Sequence, residues 1–342
     1  MPNYYFIMSK EQSNFIKGLG ILLIMIHNFV DVLLNINRNE MAYSQKATDV
    51  FLDHVFTVDS LWYILAFAGW IGVPLFFFIS GYGLTKKYSV ANAINTSAYI
   101  KNHVVKLWKL MIPVYLVYFC LYYSNVQTVL AHLTFTVNFL SYGKDGIQID
   151  PGIYWFFGVI LQFYLLFLLF RKLSTRWLWT LCAVFFAVQY CIVYCVSYDM
   201  ANWMRHNFVG WGTPFLLGMI AARNQFNISK PLNLALCVAS LFGLCACLVI
   251  KWLAPLTEVA TVIFFVTLSR MVTMKWACFI GVISPSIFAI HPLIRRLTYS
   301  LCFKPEYVLA LTIVYSVAVI ALSWLHHRVL NNPDLFRFKR TT

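Results

Sequence analysis

Residues 15–31 read FIKGLGILLIMIHNFVD, and this stretch decides what kind of molecule the chain makes. A lysine enters an apolar run, nine mostly aliphatic residues follow, and then His27 and Asn28 interrupt it. At 1.5 Å rise per residue, His27 lies ~15 Å beyond Lys17 along a helix. A bilayer's hydrocarbon core is about 30 Å thick, so a lysine at one edge leaves the histidine near the midplane. An ionisable side chain at that depth is expensive and points to function.

The whole chain has the same character. Of 342 residues, 61% are hydrophobic and 11% charged, with mean hydropathy +0.72. A soluble domain could not cover such recurring apolar stretches with polar surface. The expected fold is therefore all-α: a polytopic membrane helical bundle forming a single domain over residues 1–342. Ten spans are predicted, at about 13–35, 61–85, 107–124, 152–170, 177–198, 207–222, 231–250, 256–273, 276–297 and 306–327. The first span is long enough to cross and has no small-residue cleavage site after it, so no signal peptide is expected.

Charge sets the orientation. With the N-terminus cytoplasmic, the inner segments carry 18 of the 26 basic residues, and 10 of the 12 acids fall outside or at outer ends. The positive-inside rule then places both termini in the cytoplasm. It also accounts for the net charge of +14 without a nucleic-acid partner. Arg295, Arg296 and Lys304 dissent, and an anionic ligand or lipid would suit them. Nine cysteines lie mostly in apolar runs without zinc or redox spacing, and no metal site is expected. The sequons at Asn95 and Asn227 fall in predicted cytoplasmic loops and are discounted. Residues 36–60 are expected to hold a short helix near the outer surface. Residues 125–150 hold an amphipathic run, VQTVLAHLTFTVNFL, and then a Gly- and Asp-rich loop.

Several residues are of the right type for chemistry. His27 can take a proton from a hydroxyl, and Asp31, one turn on, shares its face and could orient the ring. Inter-helix hydrogen bonding is the structural alternative for His27, and a span end is the alternative for Asp31. Lys17, Lys101, Lys106 and Lys109 gather at the inner rim, where they suit donor phosphates as well as lipid head groups. Ser80, with Gly81 and Gly83, forms a small hydroxyl-bearing patch in an aromatic wall, better explained by close helix packing. His291, between Pro285 and Pro292, is a further candidate, because proline-interrupted membrane helices expose backbone groups that can line a cavity. Trp155, Gln162 and Tyr164 could form a sugar-binding wall. No Walker loop, Rossmann glycine run or nucleophile elbow is present.

Together these residues resemble the membrane acyltransferase-3 family. IKGLGILLIMIHNF is similar to its first-helix signature, VPLFFFISGYGL to the serine–glycine element of its second helix, and KLWKLMIPVY to the basic entry of its third. YWFFGVILQFYLLF, WGTPFLLGMIAAR and IGVISPSIFAIHPLI resemble later blocks in the same order. There are departures. Lys17 stands for the commoner arginine, Asn28 occupies the nominal histidine slot with His27 just before it, and Ile160 replaces a glutamate of relatives with an esterase-like domain. The chain is expected to lack that extra domain. The resemblance implies an O-acyltransferase of a bacterial inner membrane that uses cytoplasmic acyl-CoA as co-substrate, with no tightly bound cofactor. It implies that an acyl group, acetyl or succinyl, passes to a hydroxyl of a cell-envelope glycan or lipid-linked saccharide. Lys17, Lys106 and Lys109 would hold donor phosphates, His27 would act as base, and Asn28 and Ser80 would assist. The rival class is a transporter or flippase for a lipid-linked glycan, but no internal symmetry of the kind transporters show is visible.

Overall fold

A computed structural model describes residues 8–36, 43–88, 93–122, 126–140, 152–196, 198–224, 226, 228–301 and 304–332. Fifteen helices are present among them: α1 (Lys10–Leu33), α2 (Gln45–His54), α3 (Ser60–Ala68), α4 (Gly72–Lys87), α5 (Thr96–Tyr122), α6 (Val126–Leu133), α7 (Val137–Leu140), α8 (Trp155–Phe170), α9 (Thr175–Cys195), α10 (Tyr198–Arg205), α11 (Phe208–Arg223), α12 (Lys230–Val249), α13 (Thr257–Ser269), α14 (Lys275–Leu301) and α15 (Val308–Leu330). No strand occurs among the described residues, and nine helical stretches are long and apolar enough to cross a membrane. The protein is an all-α, polytopic membrane bundle. The predicted span at 207–222 is α11, a 16-residue helix with most of its length buried that is not among those nine.

Local chemistry explains the helix starts. Ser9 caps α1 by accepting from Gln12 N at 3.1 Å while Gln12 Oε1 accepts from Ser9 N at 2.8 Å, a reciprocal capping box. Ser174 and Ser229 cap α9 and α12 by accepting from Trp177 N and Leu232 N. Asn95, one of the discounted sequon residues, accepts from Ala98 N at 3.0 Å at the start of α5; the other, Asn227, lies outside the described residues. The second predicted span is interrupted: a 3-10 turn at Gly69–Ile71 separates α3 from α4. The short helix expected within residues 36–60 is α2. The amphipathic run forms α6 and α7, and the loop after it lies outside the described residues.

Four helices make the centre. α1 and α14 run parallel, since Cys278 Sγ donates to Glu11 O near their starts and Arg295 Nη1 to Asn28 O near their ends. Their approach is closer than a side chain permits: a Cβ at Gly18 would stand 1.9 Å from Ala277 O, and one at Gly281 1.8 Å from Asn14 O. α4 and α11 repeat the arrangement, with Gly81 against Phe215 O and Gly218 against Phe78 O. Small residues let backbones meet in this way when lipid offers no hydrophobic drive between helices. Large apolar side chains such as Leu116, Phe242 and Val317 point outward from α5, α12 and α15, as expected where lipid is the solvent.

The two glycines of the SGYG element therefore behave differently. Gly81→Ala puts a methyl within 2.1 Å of a backbone oxygen and is expected to cost about 1–3 kcal/mol. Gly83 has open space around its Cα, so Gly83→Ala is expected to be neutral or to gain about 0.5 kcal/mol from helix propensity. Thermal unfolding in detergent micelles compares the two directly.

Candidate active site

One cavity of about 230 Å³ collects side chains from five helices. Lys17 comes from α1, Ser80 and Phe76 from α4, Lys106 and Leu110 from α5, Ile160 and Tyr164 from α8, and Ser284 and Phe288 from α14. Two cations and two hydroxyl-bearing serines thus converge inside a wall that is otherwise aromatic and aliphatic. Lys17 and Lys106 are near enough for their charges to interact. Lys17 is half-buried and Lys106 exposed, and an anion between the two like charges would relieve their repulsion.

The sequence candidates separate on this geometry. Lys17, Lys106, Ser80 and Tyr164 are brought together; Lys101 and Lys109, exposed on α5 as Lys106 also is, do not line the cavity. Ile160, where some relatives carry an acid, forms part of its apolar wall. Trp155 is enclosed: its ring stacks on Trp211 with centroids 5.6 Å apart and meets His206. Gln162 donates to Asn207 Oδ1 at 3.1 Å and accepts from Phe208 N at 2.8 Å, tying α8 to the start of α11.

His27 is buried, at 4% exposure, but is not among the residues that line the cavity. Its Nδ1 bonds the Ala66 carbonyl at 2.8 Å, and its Cβ sits where a Cβ at Gly69 would be 2.6 Å away. The ring therefore packs into the junction between α3 and α4. The orienting partner is this carbonyl and not Asp31. The reason is tertiary: the α3 carbonyl arrives at the imidazole from a neighbouring helix, which spacing along α1 cannot reveal. Eleven residues rotate a helix by about 20° net at 3.6 residues per turn, so Asn28 shares the stripe of Lys17 while His27 lies about 80° away. Asn28 Nδ2 donates to Ile24 O at 2.9 Å.

Three polar features were not singled out from the sequence. Ser284 lines the cavity four residues before Phe288; the SPS triplet was its only signal. Glu258, expected at the outer end of a span, is fully enclosed and accepts from Gln189 Nε2 at 2.7 Å. Asn138, on the four-residue α7, is fully buried and donates to Trp155 O at 2.8 Å and His206 O at 2.6 Å. His206 lies between α10 and α11, where desolvation, with the Arg205 charge second, pushes its imidazole down to about 2. It stays neutral in any physiological range.

A multi-helix membrane bundle with a lysine- and serine-lined cavity is the class that fold and site define. The family described as acyltransferase domain, acyltransferase-3, matches residues 11–328. The chain belongs to that family, and the protein is an acyltransferase. Comparison with curated proteins and with solved structures found no match.

Because the Ala66 carbonyl takes His27 Nδ1–H, the imidazole is held as the Nδ1–H tautomer with Nε2 as acceptor. Asp31→Asn is expected to leave that tautomer unchanged in ¹⁵N NMR of histidine-labelled protein. A switch to the Nε2–H form would show that the carboxylate sets it.

Proposed function

We propose that the protein transfers an acyl group, acetyl or succinyl, from acyl-CoA to a hydroxyl of a cell-envelope glycan or lipid-linked saccharide. The observation that carries this reading is the cavity: Lys17 and Lys106 converge on a space that also presents Ser80 and Ser284. Ligand pockets for whole drug-sized molecules run roughly 300–1,000 Å³, so 230 Å³ suits the acyl–thioester end of the donor and not its nucleotide. The lysines act as point charges for phosphates at the mouth, and the apolar walls exclude water from the thioester.

The positive-inside distribution supports a donor arriving from the cytoplasm, with both termini on that side, and we place the protein in a bacterial inner membrane. Acyl-CoA is then a co-substrate, and no tightly bound cofactor is needed. A membrane-buried histidine takes the proton of the attacking hydroxyl; general-base help of this kind contributes typically 10²–10⁴-fold. Membrane lipids and the saccharide acceptor are the remaining partners.

Deletion of the gene is expected to remove a base-labile ester from the envelope glycan, read by mass spectrometry of surface saccharides. Unchanged ester content with mislocalised glycan would instead favour a transporter. A hydrogen bond to a charged group is worth about 1.5–3 kcal/mol, and 1.4 kcal/mol is tenfold. Lys17→Ala and Lys106→Ala are therefore each expected to raise KM for acyl-CoA by roughly 10- to 100-fold. Lys101→Ala and Lys109→Ala, outside the cavity, are expected to change it by less than about threefold. Equal effects at all four positions would argue for general surface electrostatics and against a phosphate site in the cavity.

A further inference from the structure

The cavity-facing side of α14 continues past the cavity. Ser284 and Phe288 line it, and at 3.6 residues per turn His291 and Arg295 fall on the same stripe. On α1, which runs parallel, the facing stripe is Lys17, Ile21, Ile24 and Asn28. His291 lies ~4.5 Å along the axis beyond Phe288 and has 0% exposure. Its ring meets that of Phe288 with centroids 5.4 Å apart. The ring of Phe288 in turn packs on Phe156, 4.6 Å away. Phe288, a lining residue of the cavity, is thus in direct ring contact with the imidazole.

The imidazole is prepared as an acceptor. Its Nδ1 lies 3.1 Å from Ile287 O. Tyr315 reaches from α15 to the His291 carbonyl at 3.4 Å and to Met25 O at 3.3 Å, pinning the backbone against α1. With Nδ1 donating, Nε2 carries the lone pair, and that atom is buried with no partner. A buried acceptor left empty is unfavourable, and a hydroxyl donor satisfies it.

We propose that His291, not His27, is the imidazole that takes the acceptor's proton. This rests on the reading of the cavity as a thioester site. Displacement of the Phe288 ring by the acyl group opens the cavity onto Nε2. The acceptor O–H then gives its proton to Nε2 as the oxygen attacks the thioester carbonyl. The C–O bond forms, the C–S bond breaks, and the departing thiolate takes the proton back from the imidazolium. An alcohol and a thioester become an ester and a thiol, with no redox change. His27 is assigned to positioning, clamping the α3–α4 junction onto α1.

The test uses full-length protein in its native envelope fraction, with acetyl-CoA and succinyl-CoA as probes and thiol release as readout. Asparagine preserves donation from the Nδ1 position but cannot accept a proton at Nε2. His291→Asn is expected to lower kcat at least 100-fold with KM for the thioester changed less than threefold. His27→Asn is expected to retain at least a tenth of kcat. Full loss in His27→Asn with activity kept in His291→Asn overturns the assignment and returns the role to His27. Activity kept in both removes histidine base catalysis while leaving acyl transfer standing. Absence of thiol release from the unsubstituted protein with either probe would defeat the parent reading and this one with it. If His291→Asn does not fold, diethyl pyrocarbonate labelling of the unsubstituted protein decides. Modification at His291 that a non-transferable acetyl-CoA analogue blocks supports the assignment, and no modification or no protection overturns it.

Discussion

The contact between α1 and α14 at Gly18 and Gly281 is the constraint on which the site depends. A Cβ at either position would collide with backbone oxygen at less than 2 Å, so the two helices pack main chain to main chain. That closeness runs them parallel along their length and holds the Lys17 stripe beside the Ser284 stripe. Five helices can then share one small cavity in a bundle whose outer surface faces lipid.

The second glycine pair, Gly81 and Gly218, does the same for α4 and α11. Because α4 follows the 3-10 turn at Gly69–Ile71, its register against α1 is set by two separate contacts: Gly72 against Gly20 and Gly69 against His27. Ser80 then reaches the cavity two turns further along, while Gly81 faces α11. Adjacent residues of one short motif thus serve packing and chemistry on different faces, and a buried histidine can be structurally required without touching the site.

Buried polar groups mark where the bundle is specified beyond apolar packing. Asn138 joins α7 to the start of α8 and to the turn before α11. Glu258 and Gln189 join α13 to α9. Tyr154 and Tyr315 donate to the Ala289 and His291 carbonyls of α14. In hydrocarbon each such group must be satisfied from within the protein, and these links tie helices that apolar contact alone would let slide.

Composition and apolar run length were enough to determine the class of fold and most span positions, because the bilayer imposes length and polarity on each helix separately. The lysine candidates were legible for the same reason, since a cation inside a span has few places to go. Which lysines converge was not: Lys106 lines the cavity and Lys109, three residues on, does not. The partner of His27 and the stripe shared by Ser284, Phe288 and His291 were equally hidden. They depend on rotation of one helix about its axis relative to another, and that angle is fixed by glycine contacts between segments more than 250 residues apart.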